Sequence, residues 1–177
     1  MNLYLMRHAN AGLFRDNPRL DAKRGLIKEG KDQCMLMALA LVALKAQVDV
    51  VVSSPLKRAL QTAQLVATEM GIEAPVEISS ALAQDGDSAA FHQMLADYEA
   101  IGYEGVLAVG HNPNLYHFLG KLVTGNGGAN LRFRKAAIAR IDLERHPAQL
   151  QWLIDPRLVR SIYFNAAKSS RPKTSRK

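Results

Sequence analysis

The stretch Leu3-Tyr4-Leu5-Met6-Arg7-His8-Ala9-Asn10 changes from apolar to polar at its midpoint. Leu3–Met6 form a short apolar run that predicts a buried strand, and the polar residues follow at its carboxyl end. In open α/β sheets, ligands bind at the carboxyl ends of the strands. We therefore expect Arg7 and His8 to lie at the functional edge of such a sheet.

Two later segments repeat this pattern of an apolar strand with a polar end. Val48–Val52 is apolar and β-branched except at Asp49, and it is followed by Ser53-Ser54-Pro55, with Arg58 shortly beyond. Val106–Val109 is again continuously apolar and runs into the turn Gly110-His111-Asn112-Pro113. We expect the three polar ends to meet on one edge of the sheet, and this convergence predicts a functional site better than any single residue does.

Helical patterns separate these strands, and the last third of the chain changes character. The predicted helices are about Lys28–Ala46, Leu56–Met70, Ala89–Ala100 and Asn114–Val123, with a short strand near Val76–Ile78 and an irregular loop over residues 9–27. Ala136–Leu143 and Gln149–Ile154 predict two strands joined as a hairpin. This order predicts an α/β sandwich whose sheet is mostly parallel, with an antiparallel edge.

Composition and length fit one globular domain. The chain has 177 residues, of which 48% are hydrophobic and 22% charged. The longest apolar run, Cys34–Leu44, is about half of the roughly 20 residues that a membrane-crossing helix needs. Cys34 is the only cysteine, which excludes an intramolecular disulfide, and the N-terminus shows no signal-peptide pattern. A reducing cytoplasm is the expected location, with no membrane association.

The positive charge is concentrated at the C-terminus. Five of the seven net positive charges come from Lys168, Arg171, Lys173, Arg176 and Lys177. We expect a folded domain over residues 1–165 and a basic, disordered tail over residues 166–177. The alternative is that the tail attracts RNA or another acidic surface.

Two arginines and two histidines at matching strand ends suit the transfer of a phosphoryl group. Arg7 and Arg58 can clamp phosphate oxygens, because guanidinium groups bind them in pairs and stay charged. A neutral His8 can act as the nucleophile, and His111 can donate a hydrogen bond to the developing charge. The remaining histidines are scattered and form no metal-ligand spacing.

Three motifs carry a resemblance to a known family. They are Leu5-Met6-Arg7-His8-Ala9, then Ser53-Ser54-Pro55-Leu56-Lys57-Arg58-Ala59-Leu60-Gln61-Thr62, and then Val109-Gly110-His111-Asn112-Pro113. Over roughly residues 2–155 the chain resembles the histidine phosphatase superfamily, which includes phosphoglycerate mutases and many phosphatases. Its short length and the order of the motifs are most similar to the SixA-type phosphohistidine phosphatases.

The resemblance implies both a fold and a chemistry. The implied fold is the phosphoglycerate mutase-like three-layer α/β/α sandwich, and the implied nucleophile is His8, which becomes phosphorylated. Arg7 and Arg58 are implied as phosphate ligands, and His111 as the second histidine of the pocket. Lys135, in a segment that resembles a late lysine-containing strand of this branch, is carried over as a further phosphate-side cation. No metal or cofactor is implied, and the implied substrate is a phosphorylated histidine on a protein.

Two segments depart from the family pattern. Arg24-Gly25-Leu26 resembles a family loop that has proline in place of Gly25 and threonine in place of Ile27. Many members also supply a glutamate as general acid between the second and third motifs, whereas here that stretch offers only Asp85 and Asp87. Either could be the acid, or both could belong to a solvated turn.

The missing glutamate bears on the class of substrate. A positioned acid is worth about 10² to 10⁴ in rate, which matters most for a poor leaving group. A P–N bond is labile once its nitrogen is protonated, so the sequence favours phosphohistidine over alcohol esters. A phosphatase or mutase for small phosphate esters, with Asp85 or Asp87 as acid, is the first alternative. A catalytically silent module that binds phosphate or RNA is the second.

Overall fold

The computed structural model describes residues 1–126 and 130–169. The strands are β1 (Asn2–Arg7), β2 (Val50–Ser53), β3 (Glu77–Ile78), β4 (Gly105–Gly110), β5 (Ile138–Asp142) and β6 (Gln149–Ile154). The helices are α1 (Pro18–Ala22), α2 (Lys28–Ala43), α3 (Lys57–Glu69), α4 (Ser88–Ile101), α5 (Asn114–Thr124) and α6 (Pro156–Ser169), with a 3₁₀ turn at Ser80–Leu82. Within these ranges, no helix has both the length and the apolar character needed to cross a membrane.

The strands form one six-stranded sheet in the order β3-β2-β4-β1-β5-β6. The four strands β3, β2, β4 and β1 are parallel, whereas β5 pairs antiparallel with β1 and β6 antiparallel with β5. The predicted sheet, mostly parallel with an antiparallel edge, is therefore confirmed. In the register, Arg7 lies opposite Gly110 and Ser53 lies opposite Val109, so the polar ends of β1, β2 and β4 are neighbours.

The sheet is covered by helices on both faces. Alternate residues of β1 serve the two sides: Leu3 and Leu5 pack with α4 and α5, and Tyr4 and Met6 pack with α2, α3 and Val159 of α6. Both clusters consist of side chains that are almost completely buried. The result is the three-layer α/β/α sandwich that the family resemblance implied.

Two helices lie where the sequence predicted none. The loop 9–27 contains α1, which begins with Pro18 and is capped by the Asn17 side chain, whose Oδ1 accepts hydrogen bonds from the amides of Arg19 and Leu20. Helix α6 begins before the predicted end of the domain and continues to Ser169. Residues 170–177, most of the predicted tail, lie outside the described residues, so the domain boundary at 165 and the disordered tail stay predictions.

Gly30 lets α2 approach the segment that follows β1. A Cβ atom at this position would lie 2.0 Å from the backbone oxygen of Asn10, so no side chain fits there. By helix propensity alone, a glycine here weakens the first turn of the helix. The structure shows that its role is close contact with the chain just beyond His8.

Candidate active site

The structure brings the four principal site residues together at the carboxyl end of the sheet. The His8 amide donates to Gly110 O at 3.0 Å, which ties the end of β1 to the end of β4. His8 and His111 are only 7% and 1% exposed, and their ring centroids lie 4.9 Å apart. Arg58, from the first turn of α3, is 1% exposed, and together with Arg7 it acts on the charge of both imidazoles.

The hydrogen bonding of His8 determines which ring nitrogen is free. Its Nδ1 lies 2.8 Å from Ala9 O, and a carbonyl oxygen can only accept, so Nδ1 carries the proton. The other nitrogen, Nε2, then holds a lone pair that is available for attack on phosphorus. Burial, reinforced by the charges of Arg58, Arg7 and Arg24, lowers the pKa of His8 from 6.5 to about 3. His8 is therefore neutral and nucleophilic throughout the physiological pH range.

Thr62 connects the segment that contains His8 and Ala9 to α3. Its Oγ1 accepts a hydrogen bond from the Ala9 amide at 3.0 Å and donates one to Arg58 O at 2.7 Å. Thr62 is fully buried, so both bonds are shielded from water. The sequence analysis gave Thr62 no role, although its spacing of four residues from Arg58 places both on one face of the helix. From that spacing, the sequence could have predicted that Thr62 lies near Arg58.

Asp21 holds Arg58 in place and was missed entirely by the sequence analysis. The Nη1 atom of Arg58 lies 3.2 Å from Asp21 Oδ2 and also donates to Asp21 O at 3.1 Å. The other carboxylate oxygen, Asp21 Oδ1, lies 2.9 Å from Arg24 Nε and accepts a hydrogen bond from the Arg15 amide at 3.2 Å. Burial acts to raise the pKa of Asp21, but these donors outweigh it and the net pKa is lowered. Asp21 is thus a buried carboxylate that organises two guanidinium groups.

Arg24 extends the cationic surroundings of His8. Its Nη1 donates to Ala11 O at 3.3 Å and to Gly12 O at 3.0 Å, which anchors it to the segment after β1. In the sequence, Arg24 contributed only to the loop resemblance. In the structure its charge lowers the pKa of both His8 and His111, so it belongs to the electrostatics of the site.

His111 is held by Ser54 and has one unpaired nitrogen. Its Nε2 lies 2.8 Å from Ser54 Oγ, which also accepts a hydrogen bond from the Leu56 amide at 3.3 Å. Burial, followed by the influence of His8 and the nearby arginines, lowers the pKa of His111 to about 2. Within the described residues its Nδ1 is buried without a partner. If the Ser54 hydroxyl donates to Nε2, the single proton of this neutral ring resides on Nδ1.

Four buried nitrogens at this site form no hydrogen bond among the described residues, and one of them, Arg24 Nε, is ion-paired with Asp21 Oδ1 at 2.9 Å. The other three are Arg7 Nε, Arg58 Nε and His111 Nδ1. Arg7 is otherwise fixed by its Nη1, which donates to Phe133 O at 3.0 Å. Buried polar atoms in folded proteins are nearly always paired, so unpaired ones at a single site need an explanation. An anion with several acceptor oxygens would satisfy all three.

Lys135 lies beside Arg7 on the wall of an adjoining open cavity of about 510 Å³. Its Nζ donates to Asn10 Oδ1 at 2.8 Å, and burial, together with Arg7 and Arg24, lowers its pKa. The next residue, Ala136, has φ of 59° and donates its amide to both Arg7 O and His8 O. Lys135 is thus positioned by the end of β1, and its role as a phosphate-side cation stays a prediction.

The two candidate acids are exposed and lie in the turn before α4 and at its N-cap. Asp87 is exposed and caps α4, because its Oδ2 accepts from the Ala89 amide at 3.0 Å and from the Ala90 amide at 3.2 Å. Asp85 is exposed in the preceding turn. Neither carboxylate hydrogen-bonds to His8, Arg7, Arg58 or His111, or lines the cavity beside Arg7, in the part of the chain that is described. Their role as acid stays a prediction, to which this geometry adds no support.

Comparisons with known proteins agree with this arrangement. The model of the histidine phosphatase superfamily (branch 1) matches residues 3–84. An uncharacterized protein of Picosynechococcus sp. is 33% identical over 152 residues, which cover 85% of this chain and 89% of that protein. Phosphohistidine phosphatase SixA of Escherichia coli K12 is 28% identical over 157 residues, which cover 88% of this chain and 94% of that protein.

A solved structure shows the same likeness in three dimensions. It is that of the protein histidine phosphatase SixA complexed with tungstate, which matches with a TM-score of 0.80 at 27% identity. The match covers 89% of this chain and 98% of that one. Sequence, fold and site geometry agree: the chain belongs to the histidine phosphatase superfamily, in its SixA-type branch.

Proposed function

We propose that this protein hydrolyses phosphohistidine on a protein substrate through a covalent phosphoryl intermediate on His8. The observation that carries the proposal is the buried, neutral His8, whose Nδ1 is bound to Ala9 O and whose Nε2 is free beside two arginines. The tungstate in the similar SixA structure supports it, because tungstate is a tetrahedral oxyanion like phosphate. The three unpaired donors of Arg7, Arg58 and His111 offer this chain the same kind of site.

The reaction has two balanced halves. In the first, the lone pair of His8 Nε2 forms a bond to phosphorus while the P–N bond of the substrate breaks, and the departing imidazole nitrogen keeps the electron pair and takes a proton from solvent. In the second, water attacks phosphorus, the bond to Nε2 breaks and inorganic phosphate leaves. Arg7, Arg58 and His111 Nδ1–H would neutralise the charge on the phosphoryl oxygens in both halves.

Within the described residues, neither Asp85 nor Asp87 hydrogen-bonds to His8, Arg7, Arg58 or His111, which favours phosphohistidine as the substrate class. An imidazole with a pKa of about 6.5 leaves readily once protonated, so solvent can supply the proton at neutral pH. An alcohol has a far higher pKa and depends on a positioned acid. In the described part of the chain, the carboxylate paired with the site is Asp21, and it is engaged by Arg24 and Arg58.

We also propose that the reaction needs no metal ion. The charge that a divalent cation would neutralise is matched by Arg7 and Arg58, with Arg24 close by. A cation would be repelled by this set of guanidinium groups. Over residues 1–126 and 130–169, no three His, Cys, Asp or Glu side chains are grouped as ligands would be.

The test is the release of inorganic phosphate from a phosphohistidine peptide and from p-nitrophenyl phosphate, in the presence of a chelator. The wild type should hydrolyse the peptide, and His8→Ala should lower that rate by at least about 10³-fold. His117→Ala, at an exposed position on α5, is the matched control and should retain full turnover. Unchanged activity in His8→Ala would refute the mechanism, and an inactive wild type would favour a binding module.

A second comparison separates phosphohistidine hydrolysis from ester hydrolysis. Replacing Asp85 and Asp87 by Asn removes both candidate acids. We expect phosphohistidine turnover to stay within about twofold, because its leaving group needs little help. A collapse of that turnover, or an ester rate in the wild type equal to the phosphohistidine rate, would favour the small-ester phosphatase.

A further inference from the structure

The open cavity beside Arg7 has strongly cationic walls. Six of its lining side chains are Arg or Lys, and one is a carboxylate, Glu29; the cations are Arg7, Arg132, Arg134, Lys135, Arg157 and Arg160. The chemistry proposed above requires Arg7, and the family resemblance adds Lys135. The other four cations come from the segment before β5 and from α6, and the proposed reaction leaves them without a role.

A network of hydrogen bonds and an ion pair fixes these two segments against each other. Asp155 Oδ1 accepts from the amides of Arg157 at 2.8 Å and Leu158 at 3.1 Å, which caps α6. Its Oδ2 lies 3.2 Å from Arg134 Nε, which joins the start of α6 to the segment before β5. Arg157 and Arg160, three residues apart on the helix, are thereby held on the cavity wall.

Most of this positive charge is not neutralised within the described residues. Arg134 is paired with Asp155, whereas Arg132, Lys135, Arg157 and Arg160 form no ion pair there. Arg132, Arg157 and Arg160 are also exposed. Like charges gathered on one cavity wall repel one another, so the arrangement favours an anionic occupant.

We propose that this cavity binds an acidic segment of the protein substrate next to its phosphorylated histidine. The inference rests on the proposed function, since it takes the phosphoryl group to lie at His8, and Arg7 connects that site to the cavity wall. The cations come from separate parts of the chain and so suit several carboxylates better than one phosphate. Polypeptide carboxylates are the anions that a phosphoprotein carries along its surface.

The aromatic residues of the cavity argue against single-stranded nucleic acid as the occupant. Nucleic-acid grooves pair cations with exposed aromatic rings on which bases stack. Of the two aromatic residues that line this cavity, Phe133 is 1% exposed and Tyr116 is partly buried. Phe133 therefore cannot serve as a stacking platform, and an acidic polypeptide fits the walls better.

The experiment compares two phosphohistidine peptides, one with Asp and Glu around the histidine and one with Asn and Gln in their place. Arg157→Gln/Arg160→Gln should raise KM for the acidic peptide by about three- to tenfold, the range for two exposed ion pairs, with kcat unchanged. KM for the neutral peptide should not move. At about 1 M salt, where the Debye length is about 3 Å, the difference between the peptides should disappear.

The matched control is Lys45→Gln/Arg145→Gln. It removes the same charge from two exposed positions at the opposite end of the sheet, near the amino ends of β2 and β1. If both double variants raise KM equally, the effect is one of net charge and the proposal fails. Equal KM values of the wild type for the two peptides would overturn it as well.

Direct binding separates this inference from the proposed catalysis. Fluorescence anisotropy with the unphosphorylated acidic peptide requires no turnover, so it tests the cavity even if phosphohistidine hydrolysis is not observed. The wild type should bind this peptide more tightly than the neutral one, and Arg157→Gln/Arg160→Gln should reduce the difference by about three- to tenfold. Tighter binding of a single-stranded RNA oligonucleotide that is lost in the same variant would overturn the proposal and assign the cavity to nucleic acid.

Discussion

Ser54 contacts one ring nitrogen of His111. Its hydroxyl lies 2.8 Å from Nε2, and we propose that it donates to this nitrogen. The ring proton then resides on Nδ1, which is buried and has no hydrogen-bond partner among the described residues. That proton is what the phosphoryl oxygen needs. In this proposal the tautomer of His111 depends on Ser54.

Ser54→Ala should consequently lower kcat for phosphohistidine about tenfold, since a lost hydrogen bond of about 1.4 kcal/mol corresponds to that factor. The matched control is Ser53→Ala, which removes an equally buried hydroxyl that donates to Ser54 O at 2.9 Å instead of to His111. Steady-state kinetics of both variants make the comparison. An equal loss of kcat in the two would refute the role given to Ser54.

Asp21 stabilises the fold as well as the site, because it pairs with Arg58 in a buried environment. Asp21→Asn leaves Arg58 without its 3.2 Å ion pair. We expect the free energy of unfolding in urea to fall by about 3 kcal/mol, as for other buried ion pairs that lose one partner. Asp16→Asn, at an exposed position in the same loop, should change it by less than about 0.5 kcal/mol. Similar values for the two variants would contradict this assignment.

At the residue scale, the sequence predicted the candidate phosphate-binding groups better than the residues that hold them in place. Arg7, His8 and His111 directly follow apolar strands, and Arg58 follows the Ser-Ser-Pro turn, so local pattern was enough. Asp21 lies in a segment with no strong periodicity, and its partner Arg58 is 37 positions away. A contact of that kind is made by the tertiary fold and leaves no local signal.

At the element scale, the buried parallel strands were predictable because each is a short apolar run bounded by polar turns. Helix α1 was missed since five residues are too few to show a helical period. Helix α6 was missed because the sequence analysis assigned no element between the predicted hairpin and the tail. Its formation depends on Asp155 as cap and on the burial of Val159 against the sheet.

Gly30 provides a test of how α2 positions the segment from His8 to Asn10. In an ordinary helix Gly→Ala is stabilising by about 1 kcal/mol. Here the new Cβ would meet Asn10 O at 2.0 Å, so Gly30→Ala should instead be destabilising by about 1–3 kcal/mol and should lower kcat/KM. Urea denaturation shows directly whether Gly30→Ala raises or lowers the free energy of unfolding. A stabilised Gly30→Ala variant would show that the close approach of α2 to Asn10 is not needed.

At the scale of the whole molecule, two buried neutral histidines couple stability to pH. Folding lowers the pKa of His8 to about 3 and of His111 to about 2, so below pH 6.5 the unfolded chain binds protons that the folded chain does not. Stability therefore falls as the pH drops from about 6.5, by about 2 kcal/mol for each histidine between pH 7 and pH 5.

His111→Gln should remove one of these two contributions. Between pH 7 and pH 5 the variant should lose about 2 kcal/mol less unfolding free energy than the wild type. The measurement is urea unfolding at both pH values, with His117→Gln as the exposed control, which should follow the wild type. An identical pH dependence in wild type and His111→Gln would mean that folding does not shift the pKa of His111, which would contradict its burial as a neutral group.

The covalent intermediate is tested most directly by trapping it. The enzyme is mixed with phosphohistidine peptide, quenched with alkali within milliseconds to preserve P–N bonds, digested and analysed by mass spectrometry. The account predicts one phosphorylated peptide that contains His8, formed at the rate of turnover and absent from His8→Ala. A phosphoryl group on any other residue, or full turnover with no labelled His8, would contradict the central claim.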